Sequence, residues 1–184
     1  MSANPILFLI STLGLMYISV VVLRFLLQLS GADYYNPISQ SVVKISQPLL
    51  TPFQKMLPKV GRLDISPLVL GWILTALLLT ALIAISGYPL QQAIGLILIQ
   101  SVVILVKIIL QIYFFAVIGS VIISWVAPGS YHPAPQLIQQ LTAPVFGLFQ
   151  RIIPPIAGLD LSPIFIFLSI QLIEVYVLPQ TLLL

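Results

Sequence analysis

Long apolar runs alternate along this chain with two stretches where apolar and polar residues recur at helical spacing. A helix needs roughly 20 apolar residues to cross the hydrocarbon core of a bilayer. Pro5–Leu29 meets that length, with Arg24 near one end, where its stem can lie on apolar surface while the guanidinium reaches the interface. Pro67–Ser86 is an uncharged run of 20 residues, and Ser162–Leu183 is interrupted only by Glu174. Tyr88–Ala127 holds 40 residues with one charge, Lys107. Two spans there would need a turn near Lys107, yet "VILVKIILQIYF" has no Gly, Pro, Asn or Asp to make it. One span over about 100–126, preceded by a short membrane-embedded or peripheral helix over about 89–99, fits better. The pattern predicts four spans rather than five.

The intervening stretches are not ordinary linkers. In "NPISQSVVKISQPLLTPFQKMLP", Val42, Ile45, Leu49, Phe53 and Met56 recur at three- and four-residue spacing, while Ser41, Lys44, Gln47 and Gln54 take the other side. Leu137, Leu141, Val145, Phe149 and Ile152 repeat the arrangement. This is the pattern of amphipathic helices lying in the interface with one face in lipid, over about 36–58 and 133–154. Aspartate should then be tolerated at Gln54 or Gln150 better than at Phe53 or Phe149. Pro48 and Pro144 are expected to begin a second helix in each stretch, since proline suits a first turn.

Shifting the chain by 96 residues superposes these stretches without a gap. Tyr35 falls on Tyr131, Pro48 on Pro144, Phe53-Gln54 on Phe149-Gln150, and Lys55 on Arg151. "RLDISP" at Arg62–Pro67 falls on "GLDLSP" at Gly158–Pro163. The expected fold is an all-α membrane protein with four transmembrane helices in two tandem repeats, residues 1–87 and 88–184. Each repeat reads span, interfacial amphipathic helices, D-x-S-P, span. Two spans per repeat keep both copies in one orientation, related by an axis along the membrane normal.

Composition narrows the class. Sixty per cent of the 184 residues are apolar and 6% are charged, too few charges to cover a water-soluble surface. With no cysteine and one histidine, His132, neither a disulfide framework nor an imidazole metal cluster is expected, and no cofactor is implied. A formal charge of +3 leaves no nucleic-acid patch. The first span lacks a basic n-region and a small-residue cleavage site, so it reads as retained. Lys44, Lys55, Lys59, Arg62 and Arg151 all fall in the two long loops, which places those loops in the cytoplasm and both termini outside.

Few residues are left that could carry chemistry. In D-x-S-P, the serine is a good N-cap, the proline suits the first turn, and an aspartate favours the positive end of the helix dipole. Asp64 and Asp160 could instead serve a ligand, ion or partner, and the axis could bring the two together. Arg24 is expected to snorkel or to pair with Asp33, with a lipid headgroup or partner as the alternative. Glu174 and Lys107 lie inside spans, where each costs about 2.5–3.5 kcal/mol near the centre. They read as a buried pair or a neutral carboxyl, alternatively as part of an ion or proton path, with Gln111 a further neighbour for Glu174. His132 reads as a solvated loop residue. There is no nucleophile–base constellation and no phosphate-binding glycine loop.

The doubled "QPLLTPFQKMLPKVGRLDISP" and "APVFGLFQRIIPPIAGLDLSP" resemble the YggT family of bacterial inner-membrane proteins, called YlmG in Gram-positive bacteria. The resemblance covers essentially the whole chain. It implies a link to osmotic-stress tolerance and potassium homeostasis, to division and nucleoid organisation, and in plastids to assembly of a cytochrome complex. It supplies no catalytic residues. Many members carry two adjacent basic residues before the I-P pair, whereas Gln54-Lys55 and Gln150-Arg151 supply one each.

The expected function is that of a non-enzymatic membrane scaffold or assembly factor. The expected partners are the bilayer, anionic lipids included, and a membrane protein or second copy of the chain, with Lys55 and Arg151 among the candidate partner-binding residues. An ion channel or transport-related protein using Lys107 and Glu174 is the alternative.

Overall fold

The computed structural model describes residues 5–57, 63–153 and 160–178. Six α-helices follow one another: α1 Pro5–Ser30, α2 Pro37–Met56, α3 Ser66–Ile85, α4 Leu90–Val126, α5 Pro133–Ile152 and α6 Ser162–Leu172, the last running into a π-helical turn, Ile173–Val177. Three of them, α1, α3 and α4, are long and apolar enough to cross a membrane; α6 with its π turn is shorter. Pro58, Pro154 and the glycines before the two D-x-S-P motifs lie outside the described residues, as does the end of the fourth expected span.

The core lies where α1, α3 and α4 meet, and Ile18, Val22, Leu26, Leu79, Ile104 and Ile108 are buried there. Small residues set the spacing. A β-carbon on Gly14 would come 2.8 Å from Leu78 Cδ1, and one on Gly71 2.9 Å from Leu105 Cδ1, so α1 on α3 and α3 on α4 pack too closely for alanine without a shift. The α4–α6 pair packs less extensively than α1–α3. Leu110 and Phe167 stand at the positions 96 residues on from Gly14 and Gly71. A second cluster of Val117, Ile166 and Ile170 packs between α4 and α6, with Phe114 and Phe167 edge to face at 5.2 Å.

α2 and α5 each run unbroken for 20 residues, so Pro48 and Pro144 do not begin new helices. A proline inside a helix frees the carbonyl four residues earlier. For Pro48 and Pro52 those carbonyls belong to Lys44 and Pro48, both on the exposed side, while the buried stripe Ser39, Val42, Ser46 and Leu50 holds α2 in place. The expected single lipid face is therefore divided. Val42, Leu137 and Leu141 are buried, Phe53, Val145 and Phe149 pack inward, and Ile45, Leu49, Met56 and Ile152 stay exposed.

α4 passes through Lys107 without a turn, as the missing turn residues require. It also absorbs the separate short helix expected over about 89–99. Ala93 and Ile97 are buried in the core, so that stretch is the first part of one 37-residue helix.

Candidate functional site

Polar side chains gather at the starts of α3 and α6. In both places the first described hydrogen bond is made by aspartate, not serine. Asp64 Oδ1 accepts the Ser66 N–H at 3.0 Å, and Asp160 Oδ1 accepts the Ser162 N–H at 2.8 Å. Ser66 and Ser162 are the first helical residues and make no capping bond with their side chains, so the expected serine N-cap is corrected. The proline at the next position fixes the reason: with its N–H missing, the serine N–H is the donor left to satisfy, and an acceptor two residues back reaches it.

The other carboxylate oxygen is held from the amphipathic helix. Gln54 Nε2 donates to Asp64 Oδ2 at 2.8 Å, and Gln150 Nε2 donates to Asp160 Oδ2 at 2.9 Å. Each glutamine ties the end of α2 or α5 to the start of the following helix. Burial alone would raise the Asp160 pKa, but the hydrogen bonds it accepts from Ser162 and Gln150 outweigh burial and hold it below the usual 3.8.

Beyond these shared bonds the first site continues. Arg24 Nη2 donates to Gln47 Oε1 at 2.7 Å, Gln47 Nε2 donates to Gln54 Oε1 at 3.2 Å, and Gln54 then reaches Asp64. Two amides in series thus join a cation to a carboxylate. Arg24 Nη1 also donates to Ser46 Oγ at 3.0 Å and to the Val43 carbonyl at 3.3 Å. Arg24 therefore does not pair with Asp33, whose carboxylate accepts the Tyr35 N–H at 2.9 Å. A cavity of about 440 Å³ lies against this network, lined among others by Arg24, Gln28, Tyr34, Ser39, Gln54 and Asp64.

The loop before α2 is fixed from both ends. α1 closes with the Ala32 N–H on the Leu27 carbonyl and the Gly31 N–H on the Gln28 carbonyl, which requires Gly31 at φ 69°. α2 opens with Asn36, whose Oδ1 accepts the Ile38 N–H and whose Nδ2 donates to the Pro133 carbonyl at 2.7 Å.

The second site ends at Gln150. At the positions matching Arg24, Gln47 and Thr51 stand Ser120, Ala143 and Gly147. Its cavity, about 610 Å³, is lined by Ser120, Ser124 and Asp160 together with Trp125, Phe146 and Phe167. Asp64 and Asp160 line different cavities.

The remaining candidates divide. Lys107, Gln111, Gln171 and Glu174 line one cavity of about 420 Å³ between α4 and the π turn, but no ion pair joins them among the described residues. Lys55 and Arg151 are exposed in the last turns of α2 and α5, where a cation suits the helix dipole. His132 is exposed, as expected. No cluster of metal-ligating side chains is found among the described residues.

Spacing alone puts Gln47 and Gln54 on the polar, outward side. A signal was present nonetheless. Gln54 and Gln150 coincide at the 96-residue shift and stand ten residues before each aspartate.

No solved structure matches the chain. An uncharacterized protein of Pseudomonas aeruginosa is 42% identical over 93% of this chain and 87% of its own length. One of Vibrio alginolyticus is 37% identical over 91% and 90%, and the Escherichia coli K12 protein named YggT is 32% identical over 93% and 88%. The family described as CCB3/YggT matches twice, over residues 3–85 and again over 99–181, and the chain belongs to that family.

Proposed function

We propose that this chain is a non-enzymatic scaffold or assembly factor of the bacterial inner membrane, with four spans in two tandem units. In this reading α2 and α5 lie in the cytoplasmic interface, both long loops face the cytoplasm, and both termini lie outside. The observation that carries it is the pair of Gln–Asp ties, Gln54 to Asp64 and Gln150 to Asp160, each fixing an amphipathic helix to the start of an apolar one. Such ties make rigid platforms at the membrane surface and leave Ile45, Leu49, Met56, Leu148 and Ile152 exposed for lipid or a partner. The polar groups at the sites are spent on structure and form no nucleophile–base pair. The osmotic-stress and potassium phenotypes implied by the family resemblance would then be indirect. Native co-purification in mild detergent tests the proposal. A stoichiometric membrane-protein companion, lost when Met56 and Ile152 are changed to Asp in a folded protein, is expected; a chain that purifies alone overturns it.

A second reading, ion conduction, is favoured by one observation. Lys107, Gln111, Gln171 and Glu174 share a cavity at a π turn, a helical irregularity frequent at functional sites. Reconstituted vesicles decide between them. A potassium or proton flux abolished by Glu174→Gln, with folding intact, would replace the scaffold with a conduction pathway.

A further inference from the structure

α3 and α6 begin 96 residues apart at matching positions, yet they are not equally covered. Among the described residues α3 packs on α1, α2 and α4, whereas α6 packs on α4 and α5. Thr75 and Leu78 of α3 are buried; at the matching positions Gln171 is exposed and Glu174 half-buried. α6 thus lacks the further long apolar neighbour that α4 gives to α3.

The surface left bare is polar. Lys107 and Gln111 of α4 share a cavity wall with Gln171 and Glu174, and none of the four makes a side-chain hydrogen bond or ion pair among the described residues. Phe115 and Val175, exposed and apolar, line the same cavity, and exposed Leu168 lies one turn before Gln171. Glu174 stands twelve residues after Ser162, about 18 Å by helical rise, which is inside a core of about 30 Å for a span starting at the interface. Amides and charges facing lipid find no water there, so they turn to another helix.

The patch is also complementary to itself, with a cation on α4 and an anion on the π turn. A two-fold axis along the membrane normal keeps each residue at its own depth and sets α4 of one copy against α6 of the other. In the first half of the chain Ser11, Leu15, Thr75 and Leu78 hold the matching positions, so the patch occurs once per chain.

We infer that two copies of this chain pair through the α4–α6 face, Lys107 of each copy meeting Glu174 of the other, with the Gln111 and Gln171 amides bonded across the same seam. α4 of one copy then gives α6 of the other the neighbour that α3 has within the chain. One patch per chain closes a dimer and leaves no surface of this kind for a third copy. The inference rests on the chain crossing the membrane, and not on the scaffold role.

Subunit counting by single-molecule photobleaching, with the full chain at low density in phospholipid vesicles, tests it. Two copies per particle are expected. Lys107→Glu sets like charges across both contacts and should weaken pairing at least about a hundredfold, as should Glu174→Lys. Mixing these two variants restores opposite charges at both contacts, so mixed pairs should form as tightly as wild type. Where a charge-reversed chain fails to fold, Gln171→Leu serves instead, because it keeps both charges and removes only an exposed amide; it should weaken pairing about tenfold with the chain still folded. Single copies in wild type overturn the inference, since water in the cavity must then satisfy the four groups. Pairing that persists unchanged in all these variants overturns it too, by moving the contact to another face. Recovery in the double variant Lys107→Glu, Glu174→Lys but not on mixing the single variants marks an ion pair within one chain, and likewise overturns it.

Discussion

In the first half of the chain Asp64 is buried, and the amide that reaches it continues through Gln47 to Arg24; in the second half Asp160 is half-exposed and the line stops at Gln150. Both halves start an apolar helix the same way. They differ in everything that surrounds that start. The anchor needs only a carboxylate two residues before a serine N–H and an amide ten residues earlier, so it survives whatever neighbours it is given. The neighbours then decide what the site can hold: a cation and amide chain in one half, aromatic rings in the other. Packing differs as well, with Gly14 letting α1 approach α3 closely where Leu110 stands at the matching position of α4.

The sharpest way to break this comparison is to place a second acid beside each aspartate. Gln54→Asp sets a carboxylate against buried Asp64 and removes its amide donor, with an expected loss of about 3–5 kcal/mol. Gln150→Asp, beside the more open Asp160, should cost about 1 kcal/mol or less. Unfolding midpoints in one detergent measure both, and equal losses would mean that burial does not distinguish the sites. The amphipathic pattern alone expects both substitutions to be mild, because it counts Gln54 as an outward residue.

Removing the cation should come next in size. Arg24→Ala leaves Gln47 Oε1 and Ser46 Oγ without their charged donor and should cost about 1.5–3 kcal/mol. Ser120→Ala, its counterpart, should stay within about 0.5 kcal/mol. The same unfolding assay reads this pair.

Glycine substitutions sharpen the packing contrast. Gly14→Ala drives a methyl into Leu78 and should cost about 1 kcal/mol or more. Gly147→Ala in α5 meets nothing within 4 Å and should gain about 0.5–1 kcal/mol through backbone entropy. A stabilised Gly14→Ala would show that the Leu78 side chain can give way.

The smallest effect is acid sensitivity at Asp160. Its native pKa lies below the unfolded 3.8, so its contribution is complete above that value and is lost as the pH falls through the lowered native one. Asp160→Asn should remove this part of the acid transition and lower stability at neutral pH by the same small amount, since asparagine still accepts the Ser162 N–H but gives up the charge and the second acceptor that faces Gln150. Melting temperatures across that pH range provide the check.

Much of the fold was legible because hydrophobic length and spacing act locally. The apolar runs gave α1, α3 and α4, and the missing turn residues around Lys107 gave one helix there instead of two. The joining of residues 90–99 to α4 was not legible, since it depends on Ala93 and Ile97 finding partners in the core. Proline was misread for a similar reason. Its penalty is local, but Leu50 and Ser46 packing inward kept α2 whole across Pro48. At the site, spacing gave the aspartates and the doubled glutamines but not their bond. Which way an amide points around a helix is settled by what α1 places opposite it, here Arg24.

The length of α4 has a consequence for the bilayer itself. At 1.5 Å per residue its 37 residues extend about 56 Å, against about 30 Å for α3 and for a typical hydrocarbon core. Even a tilt of about 40°, the upper end of what transmembrane helices show, leaves about 13 Å beyond the core. The excess at the start of α4 is apolar, with Ile94, Leu98 and Ile99 turned outward. Lipids beside that end must stretch to cover it. Each chain would then carry a step in membrane thickness around its own circumference, and neighbours of matching thickness would collect on either side of it without any direct contact.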